Sequence, residues 1–191
     1  MNQYTSCFIG APLPKKYQAE FEKLLVGVGK LYPDWKITYP KTPHVTVYYL
    51  DKQSQFVLPD IANIVQKEIR ILKNIVLAVN GFDYFTKEDA REGIVFLNIV
   101  YQPAFVNLNR ALNDKLRKYY SADNNLPFHP HMTIARINEI KNMSSIKNCV
   151  LELGNKIGKV YWEFRITEIV IYGVDSKIQP QHQKQLITIS V

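Results

Sequence analysis

Pro-His-x-Thr occurs twice in this chain, as "PHVTVYYL" at residues 43–50 and as "PHMTIARI" at residues 130–137. The chain has four histidines, so two of the four stand in matching contexts. In each copy apolar residues alternate with polar ones, the pattern of a half-buried strand. Each copy also follows a stretch with helical apolar spacing. Repeating a costly polar pattern on two distant strands makes sense if the fold brings those strands together. That requirement limits the topologies available.

The rest of the chain fits two similar units. Residues 4–12 ("YTSCFIGAP") predict a strand leading into a turn at "PLPKK". From Lys15 to Leu31, Tyr17, Phe21, Leu24, Leu25, Val28 and Leu31 follow helical spacing. "DWKITYP" and "HVTVYYL" are strand-like, and residues 61–72 predict a second helix begun near Pro59-Asp60. "NIVLAVNGFDYF" and "GIVFLNIVY" predict two strands separated by the charged "TKEDARE". After Pro103 the plan repeats. Phe105, Leu108, Leu112, Leu116 and Tyr119 mark a helical face, the polar "SADNNLP" follows, and then the second motif strand. A weaker helical segment covers 138–153. "YWEFRITEIVIYGVD" and "KQLITISV" close the chain as strands, read as neighbours joined by a loop at 176–182. The expected class is α+β: two pseudo-symmetric lobes of mostly antiparallel sheet with helices outside, in one domain over 1–191.

Composition sets outer bounds. With 191 residues, 47% hydrophobic and 21% charged, the chain has an ordinary globular make-up, long enough to bury about 70% of its unfolded surface. Cys7 and Cys149 lack metal-ligand spacing and read as two reduced thiols. The absence of a leader or a long apolar run points to a soluble, cytoplasmic protein working away from membranes. A net charge of +7 favours anionic partners, although the basic residues form no dense tract.

The chemistry follows from alternation. Residues two apart on a strand share a face, so His44 projects with Thr46 while Val45 and Val47 point inward. His131 and Thr133 do the same over Met132 and Ile134. Two imidazoles and two hydroxyls around one cleft suit phosphodiester displacement. One imidazole takes a proton from the nucleophile and the other protonates the leaving oxygen, while the hydroxyls hold the non-bridging oxygens. One such motif would mean little, since strand histidines are commonly structural. A metal site is the nearest competitor, and it is disfavoured because no acidic residue or cysteine accompanies either motif.

With these motifs the chain resembles the two-histidine phosphoesterases, whose signature is a pair of H-x-[ST]-x motifs, and within them the RNA 2′,3′-cyclic phosphodiesterases, also called 2′,5′-RNA ligases. "CFIGAPLP", "GFDYF…GIVFLNI", "FHPHMTIAR" and "ITEIVIYGVDSKI" carry the likeness alongside "PHVTVYYL". The resemblance implies a bilobal fold with a V-shaped cleft, no metal or cofactor, and RNA ends or other nucleotides as substrate for a monomer. It assigns His44 and His131 as the acid/base pair and Thr46 and Thr133 as phosphate binders. Where the family commonly reads "HLTL-x-FLG", this chain has "HVTVYYLD". Strict alternation puts Tyr48 on the cleft face, to stack on a base or bond the phosphate, or to serve only as a half-buried sheet tyrosine. Arg136 matches the arginine of the family's "HxTxAR". Alternation turns it away from the His131 face unless a bulge intervenes. His129 shares the face of His131 and, with Arg136, is a further candidate for binding substrate or phosphate, or else it only lines the strand entrance. Two other functions compete: a phosphodiesterase of 2′,5′-linked or cyclic oligonucleotide signals, and a non-catalytic RNA-binding module.

Overall fold

The computed structural model describes residues 3–33, 35–86, 92–117, 127–138, 143–174 and 183–191. Tyr119, residues 87–91 of the charged loop, residues 121–126 and the loop at 176–182 lie outside them.

In chain order the elements are β1 (Gln3–Pro12), α1 (Lys15–Leu31), β2 (Lys36–Thr38), β3 (His44–Ser54), α2 (Leu58–Glu68), β4 (Val76–Thr86), β5 (Glu92–Ile99), α3 (Pro103–Leu116), β6 (His131–Asn138), α4 (Met143–Ile157), β7 (Tyr161–Arg165), β8 (Glu168–Val174) and β9 (Gln183–Ser190). The strands lie in the order β7-β4-β5-β6-β3-β1-β8-β9, with β2 also on β6. Every pairing is antiparallel.

The order divides into two halves of four strands that meet at β3 and β6. They are joined there by the Val45–Met132 pair. Beyond it β3 and β6 part, and β2 takes β6's edge at residues 136–138. The halves match strand for strand. β1 and β3 are antiparallel neighbours with α1 between them in sequence, as β5 and β6 are with α3. β8 stands beside β1 as β4 stands beside β5. The fold is therefore α+β with two pseudo-symmetric lobes.

Two helices, α1 and α3, tie the halves together because each crosses over. α1 follows β1, yet it packs on the other half. Tyr17 stacks on Trp162 of β7 at 5.4 Å, and the Trp162 Nε1–H donates to Glu20 Oε2 at 2.8 Å. α3 follows β5 and packs against β3, where the Asn109 amide donates to the Val47 carbonyl at 2.7 Å. The predicted faces are the buried ones: Phe21, Leu24 and Val28 on α1, and Phe105, Leu108, Leu112 and Leu116 on α3. Pro103 opens α3, with Gln102 capping it through its side chain. No helix among the described residues is long and apolar enough to cross a membrane. Cys7 and Cys149 are buried free thiols, and burial pushes Cys149 up to about 11, so it stays protonated.

One expectation needs correction. "YWEFRITEIVIYGVD" is two strands, not one. β7 lies at the outer edge of one half and β8 beside β1 in the other, with Ile166 and Thr167 crossing between them. The crossing is secured by Ile166 N–H donating to the Ile75 carbonyl and Val191 N–H donating to the Thr167 carbonyl. Continuous β-propensity conceals such a switch because β-branched and aromatic residues run through both segments. β8 and β9 are neighbours, as expected.

Candidate active site

His44 opens β3 and His131 opens β6, the two strands that meet at the seam. Extending the Val45–Met132 register by one residue each way sets His44 level with Thr133 and Thr46 level with His131. Val45, Val47, Met132 and Ile134 lie in the core. The four polar residues are half-buried on the opposite face, and the two imidazole–hydroxyl pairs converge there.

Both rings are anchored identically. His44 Nδ1 donates to the Thr42 carbonyl at 2.7 Å, and His131 Nδ1 donates to the His129 carbonyl at 2.8 Å. A carbonyl only accepts, so each Nδ1 carries a proton. Nε2 is then the atom that titrates, an acceptor in the neutral ring and a donor in the cation.

Aromatic residues from the next two strands brace each ring. Phe8 of β1 stacks on His44 with centroids 4.6 Å apart, and Tyr172 of β8 lies 5.0 Å away. Phe96 of β5 and Phe85 of β4 lie 5.0 and 4.9 Å from His131, Phe85 edge-on. Phe8, Val170 and Tyr172 form a small apolar cluster separate from the main core, which places them on the cleft face. Gly10 makes room beside His44: a Cβ there would sit 3.2 Å from His44 Cδ2 and 3.2 Å from the Val45 carbonyl. Burial lowers His44 to about 4, with the charges of His131 and Arg136 adding to the effect. His131 is also lowered, chiefly by burial and then by His129 and Arg136.

Two bulges change where side chains point. In β3, Tyr48 pairs with Ile9 and Thr46 with Gly10, so Val47 is skipped. In β6, Ala135 pairs with Val95 and Thr133 with Phe96, so Ile134 is skipped. The skipped residue lies three positions after the histidine in both strands. A bulge turns two successive residues to one side and reverses the alternation beyond them. Val47 and Tyr48 are accordingly both in the core, as are Ile134 and Ala135. Tyr48 is thus corrected: it is 3% exposed, with its hydroxyl donating to Asn113 Oδ1 of α3 at 3.3 Å. Arg136 is exposed on the side of His131 and Thr133, the exception that a bulge allows. His129 is exposed, 6.5 Å from the His131 ring, and serves that ring through its carbonyl.

Sequence reasoning misses Tyr49. It takes the face assigned to Tyr48, pairs with Phe8, and accepts a hydrogen bond at its hydroxyl from Ser6 Oγ at 2.8 Å. It also misses Phe8, Tyr172, Phe85 and Phe96, although each lies in a stretch that carries the family likeness. Among the described residues, no three His, Cys, Asp or Glu side chains converge as a metal site would require.

The likeness to known proteins spans the chain. TT0787 of Thermus thermophilus superposes with a TM-score of 0.73 at 17% identity, over 97% of each chain. E. coli LigT complexed with 3′-AMP does so at 0.68 and 15%, over 98% of each chain. The MHV ns2 PDE domain matches at 0.53 and 16%, over 98% of this chain and 99% of its own. These superpositions show a shared fold. No curated protein matches the sequence. The family model of the 2′-5′ RNA ligase superfamily matches residues 17–177, a span that takes in both motif strands, and the chain belongs to that superfamily of two-histidine phosphoesterases.

Proposed function

We propose that this chain is a metal-independent phosphodiesterase that hydrolyses RNA 2′,3′-cyclic phosphate ends to 2′-phosphates. The observation that carries this reading is the matched anchoring of His44 and His131, whose Nε2 atoms are left for chemistry on one face. One neutral ring takes a proton from water as the water oxygen bonds to phosphorus. The P–O3′ bond breaks as the other ring, protonated, gives its proton to O3′, leaving a 2′-phosphate and a free 3′-hydroxyl. Thr46 and Thr133 donate to the non-bridging oxygens, and the Arg136 guanidinium offsets their charge.

The active form holds one proton between the two rings, so kcat/KM follows a bell in pH. Burial lowers both histidines, which places the bell on the acid side of 6.5. E. coli LigT, solved with 3′-AMP and with ATP, supports a nucleotide substrate, as does a net charge of +7.

The deciding assay offers EDTA-treated protein nucleoside 2′,3′-cyclic phosphates, cyclic-phosphate-ended RNA and 2′,5′-linked oligonucleotides. Turnover of the first two is expected. Turnover of the last alone would redirect the same machinery to 2′,5′ linkages. RNA binding without turnover of any of them would make the chain a binding module.

A further inference from the structure

We propose that Tyr49 holds the nucleobase on the His44 side of the site; this rests on the phosphodiesterase reading above and names the residue that recognises its substrate. Tyr49 and Arg136 are counterparts. Each stands five residues after its histidine and two after a skipped residue, and each is turned to the histidine face by a bulge at the same offset. A bulge costs ladder hydrogen bonds, and here its free carbonyl is compensated: α3 supplies Asn109 to Val47 and, one turn later, Asn113 to Tyr48. Without the bulge Tyr48 would face the cleft and Tyr49 would be buried.

The two counterparts differ in chemistry in a way that fits an asymmetric substrate. A nucleoside cyclic phosphate has an anionic end and a flat apolar end. Arg136 suits the first and Tyr49 the second. The Tyr49 ring is 37% exposed, lies beside Phe8 across the ladder, and has its angle set by Ser6 Oγ on its hydroxyl. From Thr46 to Tyr49 the strand runs roughly 10 Å at 3.3 Å per residue, less the slack in the bulge. A ribose and its base span that length. Base–aromatic stacking is tolerant of sequence, so the site would accept any base.

The test compares wild type, Tyr49→Ala and Tyr49→Phe on adenosine 2′,3′-cyclic phosphate and on methyl ribofuranoside 2,3-cyclic phosphate, which has no base. Tyr49→Ala should raise KM for the nucleotide about tenfold, the effect of losing one stacked base. It should leave the base-free substrate unchanged, and Tyr49→Phe, which keeps the ring but loses the Ser6 hydrogen bond, should fall between wild type and Tyr49→Ala on the nucleotide. Equal losses on both substrates, or none on either, would overturn the assignment. Calorimetry of adenosine 2′-phosphate against ribose 2-phosphate keeps the two readings separable. If wild type turns over neither cyclic phosphate, the phosphodiesterase reading fails alone. Tyr49 still stands if Tyr49→Ala weakens only the nucleotide's binding about tenfold, and it falls if that affinity is unchanged.

Discussion

The half that carries His44 and the half that carries His131 build one device from different materials. Both tie Nδ1 to a carbonyl two residues back, and both insert a bulge three residues after the ring. They differ in packing. His44 lies face to face with Phe8, interplanar angle 25°, with Tyr172 behind it and Gly10 leaving room for its ring. His131 meets Phe85 at 86° and Phe96 at 54°, beside the exposed His129. Backbone geometry is thus held in common while the surroundings are free to diverge. The His44 side is the drier, and its basicity falls to about 4.

Four experiments break or sharpen this comparison. The largest effect is expected from His44→Ala and His131→Ala, each lowering kcat/KM about a thousandfold, within the range for general acid–base catalysis. The double variant should be little worse than either single one, because the rings act as a unit. A single variant within tenfold of wild type would mean that the halves do not share one reaction.

Next comes stability against pH. Below pH 6.5 the unfolded chain takes up a proton at His44 that the folded site refuses until about pH 4. Stability therefore falls as the pH drops through that window and levels off beneath it, by on the order of 3 kcal/mol at full strength. Urea denaturation at pH 7 and pH 4.5 should show a smaller loss for His44→Asn than for wild type. If His131→Asn relieves the larger share, the drier side has been misassigned.

A smaller effect tests the room beside His44. Gly10→Ala pushes a methyl against the ring and the Val45 carbonyl, and a displaced ring should lower kcat about tenfold. The melting temperature should barely move. Unchanged kcat would show that the ring's position there is not critical.

The smallest concerns the bulge. Asn109→Ala leaves the Val47 carbonyl without its amide, which should cost about 1 kcal/mol in denaturant unfolding. The cost should come with a raised KM as Tyr49 loosens. A loss of stability with KM unchanged would separate the bulge from substrate binding.

The two motifs carried much of this into view. Val45, Val47 and Ile134 have the stiffness, and with Met132 the burial, that a strand face demands, so the projection of both His-Thr pairs followed from alternation. Helix faces such as Phe105, Leu108, Leu112 and Leu116 were equally open to periodicity. The bulges were not. A skipped residue leaves no mark in "VTVYY" or "MTIAR", and it exchanged Tyr48 for Tyr49 while restoring Arg136 to the site. The break at Ile166-Thr167 was hidden for a related reason: both segments read as strand formers, and their membership of different halves is decided by pairing partners distant in sequence. The aromatic braces likewise depend on strand order.

The crossing of α1 and α3 has a consequence for how the molecule can be divided. Each group of four strands is roofed partly by a helix whose own sequence belongs to the other group. A fragment ending between β5 and α3 would leave β3 without the helix that answers its Val47 carbonyl, and would itself lack the Trp162 against which Tyr17 lies. Two such pieces, expressed separately, are each an incomplete solid. Mixing them should restore a single cooperative body, because the missing wall of one is carried by the other.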